Sequence, residues 1–177
     1  MAFQTALTSA AGSWPLLLVS ILALDTIVLF LTRYFPQWLG LPLNKWYTKF
    51  GLLAVISDVT IIAIGFALAR WVYNTWFRGQ GLWVFLGLLV AIQALHDILF
   101  YIGVILPLPR GVNAMMDVFK EYAASGGGKI IAGDAALMLG SAVIFLGLER
   151  LSPAGQWFVG LLTAYALPYI LLTRVGG

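Results

Sequence analysis

His96 is the only histidine in the chain. It stands beside Asp97 in the stretch Gln93-Ala-Leu-His96-Asp97, inside a long apolar run with no lysine or arginine nearby. Three other apolar runs each carry one acid: Asp25, Asp58 and Asp134. An unpaired carboxylate in hydrocarbon costs ~2.5–3.5 kcal/mol even on insertion scales, so it must find a proton, a cation or a hydrogen-bond donor. Acids and a histidine in that setting are the parts of proton relays and coupling-ion sites. We read Asp25, Asp58, Gln93, His96, Asp97 and Asp134 as a candidate ion or proton pathway, with Ser57, Thr60, Tyr165 and Tyr169 as supporting polar groups. Gln93 precedes Asp97 by one helical turn, so the two share a face. The competing reading is structural. A protonated Asp bonded to a hydroxyl on another helix simply fastens a bundle, and a lone histidine more often packs than ligates.

Membrane spans must position these groups. Of 177 residues, 62% are hydrophobic and 10% are charged, with a mean hydropathy of +0.97. A water-soluble domain carries roughly a quarter charged residues, so this composition fits an integral membrane protein of the all-α class. Five apolar runs near the ~20 residues needed to cross a bilayer cover about 14–32, 50–72, 82–106, 130–148 and 156–173. We expect a single membrane domain over 1–177, a five-span helical bundle. Met1 to Ser13 reads as a loosely ordered tail without a basic stretch, so no cleavable signal is expected. Trp38, Trp46 and Tyr47, among the lysines of the 36–49 segment, suit the headgroup level. Arg70 is expected to extend its charge outward. Between spans three and four, Val112, Met115, Met116, Phe119 and Tyr122 recur at helical spacing. They predict a short interfacial amphipathic helix over about 112–124, ended by a flexible Ser125-Gly126-Gly127-Gly128 joint. A soluble connecting helix is the alternative for this segment.

Charge placement predicts orientation. With the N-terminus outside, Arg33, Lys45, Lys49, Arg110, Lys120, Lys129 and Arg174 lie inside, against Arg70, Arg78 and Arg150 outside. That bias predicts an outer N-terminus and a cytoplasmic C-terminus. At 1.5 Å rise per residue, Asp25 and Asp58 then lie roughly 12 Å from the inner boundary, Asp134 about 7 Å and Asp97 roughly 15 Å. All four fall in the inner half. Ser57 and Thr60 flank Asp58. Thr163, Tyr165 and Tyr169 offer hydroxyls from span five. Gly133, Ala136 and Gly140 in span four, and Gly65 and Ala69 in span two, allow close helix approach.

The chain has no cysteine, which removes disulfides, thiolate metal sites and thiol catalysis. One histidine is too few for a usual zinc or non-haem iron site, every lysine sits at an interface or in a loop, and no cofactor is implied. There is no basic stripe for nucleic acid, no Gly-x-Ser-x-Gly elbow, no His-Glu-x-x-His helix and no phosphate loop. The expected partners are the lipid bilayer and either further copies of the chain or a larger membrane complex.

Several stretches resemble an uncharacterised family of polytopic membrane proteins from large DNA viruses of algae and protists. They are Trp46-Tyr47-Thr-Lys-Phe50 with Ala54-Val-Ile-Ser-Asp58, Gln93-Ala-Leu-His96-Asp97 with Phe100, and Gly111-Val-Asn113 with Asp117-Val-Phe119-Lys120 and Tyr122-Ala123. Asp134 with Met138, and Tyr165-Ala-Leu-Pro168-Tyr169, complete the pattern. The resemblance spans Trp46 to Tyr169 and leaves out the first span. It implies membrane residence and transfers no residue roles.

The first expectation for function is a channel or carrier for protons or cations. The second is a non-catalytic scaffold subunit of a membrane complex or virion membrane. An intramembrane enzyme acting on lipid comes last, because no nucleophile–base constellation is visible.

Overall fold

The computed structural model describes residues 6–39 and 41–173, without the side chains of 38, 39, 41, 42, 125–127 and 129. Arg174 and the first five residues of the expected tail therefore lie outside the described residues, as do the side chains of Trp38 and Lys129. Among the described residues there are seven α-helices and no strand. They are α1 (Trp14–Tyr34), α2 (Pro36–Leu39), α3 (Leu41–Phe50), α4 (Leu52–Trp76), α5 (Leu82–Phe100), α6 (Ala114–Leu148) and α7 (Pro153–Leu171), with a π-helical turn at Tyr101–Ile105. Five segments are long and apolar enough to cross a membrane: α1, α4, α5 with its π turn, the Ile130–Leu148 part of α6, and α7.

Local sequence sets the helix ends. Ser13 accepts from the Leu16 amide (3.3 Å) ahead of Pro15, and Ser152 accepts from the Gly155 amide (3.3 Å) ahead of Pro153. Asn113 accepts from the Met115 and Met116 amides at 2.9 and 3.2 Å. Each cap satisfies donors that a first turn leaves orphaned. Gly51, at φ 56°, makes the sharp reversal between α3 and α4, a backbone state that glycine adopts without steric penalty.

The spans form a ring. α1 packs on α4, α4 on α5, α5 on α6, and α6 back on α1, while α7 lies against the outer side of α1. Lipid tails give helices no hydrophobic reason to associate, so close packing must hold them. A Cβ added at Gly140 would stand 2.8 Å from Leu24 Cδ2, and one at Gly65 would stand 2.5 Å from Met138 Cε. These two glycines let α6 approach α1 and α4. Gly133, expected in the same stripe, has nothing within 4 Å of such a Cβ.

The two ends of the ring differ. Toward the chain's N-terminal segment, Leu17, Ile21, Phe66, Phe85, Leu89, Met138 and Phe145 are fully buried in one continuous apolar core. At the other end a smaller cluster gathers Leu29, Trp46, Tyr47, Ala54, Val55, Val118 and Leu167 around α3.

Four local expectations are corrected. The interfacial helix and span four are one helix: α6 runs unbroken through Ser125-Gly126-Gly127-Gly128. Glycine costs ~1 kcal/mol per helical position, but at a membrane boundary the helix is the state that keeps every backbone group bonded. The tail is also packed, since Leu7 and Thr8 are buried. Arg70 does not reach outward and is only 2% exposed. Its Nε donates to Leu7 O (2.9 Å), its Nη2 to Ala6 O (3.4 Å), and its guanidinium lies 4.8 Å from the Trp14 ring centroid. The physical reason is that α4 continues to Trp76, beyond the expected end, which leaves Arg70 inside the fold where residues 6–13 cover it. Lastly, the 36–49 segment is not a plain headgroup-level belt: it contains α3, whose Trp46 and Tyr47 are buried.

Candidate functional site

The site begins with α3. Gly51 turns this helix back toward the ring, so its two buried aromatics point at acids of α1 and α4. Tyr47 Oη donates to Asp25 Oδ1 at 2.7 Å, and Trp46 Nε1 donates to Asp58 Oδ2 at 3.0 Å. Tyr47 also lies within reach of Asp58. Burial, with the two carboxylates beside it, pushes the Tyr47 phenol well above its ordinary range, so it acts as a donor.

α5 supplies the next group. Gln93 Nε2 donates to Asp97 Oδ1 at 2.7 Å, the shared face that the sequence predicts. His96 Nδ1 lies 3.2 Å from the same oxygen, and its ring stacks on Phe100 at 5.6 Å and 13°. The other oxygen, Asp97 Oδ2, is buried without a hydrogen-bond partner among the described residues. After Phe100 the backbone widens: Leu106 N bonds to Tyr101 O at 2.9 Å, five residues back. A π turn inserts one extra residue into the helical phase, and such turns recur at functional sites. Here Ile105 is buried and Val104 is exposed.

These groups meet at a cavity of about 600 Å³ inside the ring. Asp58 from α4, Asp97 and His96 from α5 and Asp134 from α6 all line it, with Gln93 and Ser57. Asp134 lies within electrostatic reach of Asp97 and Asp58. Trp46, Phe100, Tyr101, Phe119 and Tyr122 supply aromatic walls, and Ile61, Ile62 and Leu137 lie at the closed end. Burial and the Asp58 and Asp134 carboxylates push the Tyr122 phenol upward, which keeps it a neutral donor. Beyond Ile62 the ring packs shut on Phe66, Leu89 and Met138. Ile98, Tyr101 and Ile102 line the cavity and are exposed, so its wall at the π turn is accessible rather than packed over.

The expected site residues therefore separate. Asp58, Gln93, His96, Asp97 and Asp134 line one space, together with Ser57, whose hydroxyl donates to Leu53 O of its own helix (2.8 Å). Asp25 does not line the cavity. It is 1% exposed and held behind Tyr47. Thr60 is exposed, away from the site. Tyr165 and Tyr169 stack on each other at 5.1 Å on the exposed face of α7, which does not border the cavity. Thr163 donates to Val159 O within α7.

Sequence reasoning missed Trp46 and Tyr47 as donors to the acids and Tyr122 as part of the cavity wall. Trp and Tyr pair an apolar body with one polar handle, and Gly51 between them and Asp58 is the signal that α3 folds back. Next to the cavity-lining Trp46 and Tyr122, an ion pair between Lys45 and Glu121 joins α3 to α6. Arg33 joins α1 to α3 and α7 through Asn44 (2.9 Å), Thr48 (2.6 Å) and Leu171 O (3.3 Å).

No group of three or more His, Asp or Glu among the described residues is arranged to hold a metal ion. Comparison with known protein families, curated proteins and solved structures finds no match to this chain. Its fold is an all-α bundle with five candidate membrane spans, and the chain is an integral membrane protein.

Proposed function

We propose that the protein is a carrier for protons or other cations rather than an open channel, with Asp58, Asp97, Asp134 and His96 as the group that holds the cargo. One observation supports this most. Acids from three different helices line one partly open cavity that is packed shut toward Phe66, Leu89 and Met138. A through-pore needs a polar or hydrated path along its whole length, whereas here the far half of the ring is filled by apolar side chains. A site reached from one side at a time is the arrangement of alternating access. In this reading the basic residues Lys45, Lys49, Arg110 and Lys120 face the cytoplasm, and the N-terminus lies outside.

Tyr47 and Trp46 favour a second reading. Their bonds to Asp25 and Asp58 fasten α3 to α1 and α4, as in a scaffold subunit of a membrane complex or virion membrane, with exposed α7 meeting lipid or another subunit. An enzyme acting on lipid would also use the accessible wall at the π turn. Against it, His96 is engaged with Asp97, and the Ser57 hydroxyl donates to its own helix.

The test is flux in liposomes carrying the purified protein under gradients of protons, alkali cations and organic cations. Wild-type flux that falls at least tenfold in Asp97→Asn, with helicity and unfolding temperature retained, supports the carrier. No flux in the wild type under any of these gradients overturns it in favour of the scaffold.

A further inference from the structure

We infer that the cavity binds an organic cation with a bulky apolar body, an amphiphilic ammonium or phosphonium, rather than a bare proton or alkali ion. This rests on the proposed reading of the acids as a cation site and adds the class of cargo.

Size comes first. A proton relay needs a file of a few waters at ~30 Å³ each, and a single alkali ion needs little more. The cavity measures about 600 Å³, within the ~300–1,000 Å³ range of sites for small organic ligands.

The lining has two characters. Asp58, Asp97 and Asp134 come from the helices that also carry the closed end, while Trp46, Phe100, Phe119 and Tyr122 form aromatic walls. A hard inorganic cation takes about 6–8 oxygens, or keeps its waters. The three carboxylates are not gathered into a group that could hold a metal ion among the described residues, and most of the wall between them is aromatic or aliphatic carbon. An organic cation matches both parts. Its charge meets the carboxylates, including the partnerless Oδ2 of Asp97, and its body displaces water from the apolar walls. Aromatic faces attract such cations further. Phe100 and Phe119 suit this role, since both are only partly buried on the cavity wall and their rings lie 6.2 Å apart.

Access agrees. Ile98, Tyr101 and Ile102 belong to both the cavity wall and the exposed surface of α5 and its π turn. An amphiphile dissolved in the bilayer reaches the site from the side, whereas a hydrated ion has no reason to concentrate there.

The experiment is equilibrium dialysis of radiolabelled tetraphenylphosphonium against the full chain in lipid nanodiscs, with empty nanodiscs subtracted. Tetraphenylborate, of the same shape and opposite charge, is the wild-type control. The expected result is saturable binding of the phosphonium near one per chain and no saturable binding of the borate. Affinity should fall at least tenfold in Asp97→Asn/Asp134→Asn and at least threefold in Phe119→Ala, which keeps the acids if the double variant fails to fold. Equal binding of both ions, or phosphonium binding unchanged in a folded double variant, would overturn the inference as mere partition into lipid. No phosphonium binding beside Asp97-dependent proton or alkali flux overturns the ligand class and leaves the carrier standing. Saturable binding without transport under any gradient keeps the ligand class and removes the carrier. Neither binding nor flux removes both.

Discussion

The two halves of the helix ring bury charge in opposite ways. In the closed half, Arg70 is covered by residues 6–13, bonded to the Leu7 and Ala6 carbonyls and wedged against Trp14, with apolar side chains filling the rest. In the open half, Asp58, Asp97 and Asp134 border about 600 Å³ of space. Asp25 sits in the open half but resembles Arg70: it is buried, bonded to Tyr47 and away from the cavity. An ionisable group inside a bundle is thus a site candidate when room for a ligand lies beside it. Where protein atoms take that room, it is a fastener.

The sharpest way to break this comparison is to remove one aromatic from each half. Phe145 is fully buried in the closed half, and Phe145→Ala should lower stability by ~3–5 kcal/mol, the transfer loss plus a cavity that rigid neighbours do not fill. Phe119 is half-buried on the cavity wall, with neighbours on one side. Phe119→Ala should cost less than half as much, since contacts on its open side were never made. Reversible unfolding in mixed micelles measures both. Equal losses would mean that the two halves are packed alike and that the cavity is not a preformed space.

The sequence makes one half of this contrast more legible than the other. Apolar runs locate all five spans, and the four-residue step from Gln93 to Asp97 predicts the shared face on which the two are found bonded. Period and length suffice there, because a helix in lipid has few alternatives. The partners of the acids were harder to read. Trp46 and Tyr47 lie among lysines, where aromatics ordinarily mark the headgroup level, and only the reversal at Gly51 turns them inward. The Tyr165–Tyr169 pair was misplaced for the opposite reason. A hydroxyl on a span looks available to a site, but α7 packs chiefly on α1, and its Tyr165–Tyr169 face is exposed. Which face of a uniformly apolar helix turns inward is decided by its neighbours, and span five carries no strong periodic signal of its own.

A smaller pair of effects separates fastener from site within the open half. Tyr47→Phe removes the 2.7 Å bond to Asp25 and leaves a 1%-exposed acid without its donor. The expected loss is ~1–3 kcal/mol of stability, with cargo binding changed little. Asp134→Asn should do the reverse. A nearly isosteric neutral group on the cavity wall should leave stability within ~1 kcal/mol of wild type, or raise it, as functional polar groups often cost stability, while flux falls at least tenfold. If Tyr47→Phe abolished flux at full stability, Asp25 would belong to the pathway after all.

The smallest effect is expected beside the cavity, where Lys45 and Glu121 join α3 to α6. Both side chains are about half exposed, at 52% and 46%, so water and salt screen the pair. The Lys45 hydrogen bond, aided by the charges of Lys45, Arg110 and Lys49, holds the Glu121 carboxyl below its ordinary value of 4.5. A carboxyl whose folded pKa is depressed adds stability that is fully present above its unfolded pKa and fades as pH falls through the folded value. The contribution should therefore be constant from neutral pH to about 5 and disappear only in more acidic solution. Glu121→Gln should abolish that acid-dependent component, and 0.5 M salt should mimic the variant at neutral pH. Unfolding curves of wild type and Glu121→Gln across pH 3–7 test this directly. A difference between them that did not shrink as pH fell toward 3 would show that Glu121 supports α3 through packing rather than charge, and the contact of α3 with α6 would then be held by shape alone.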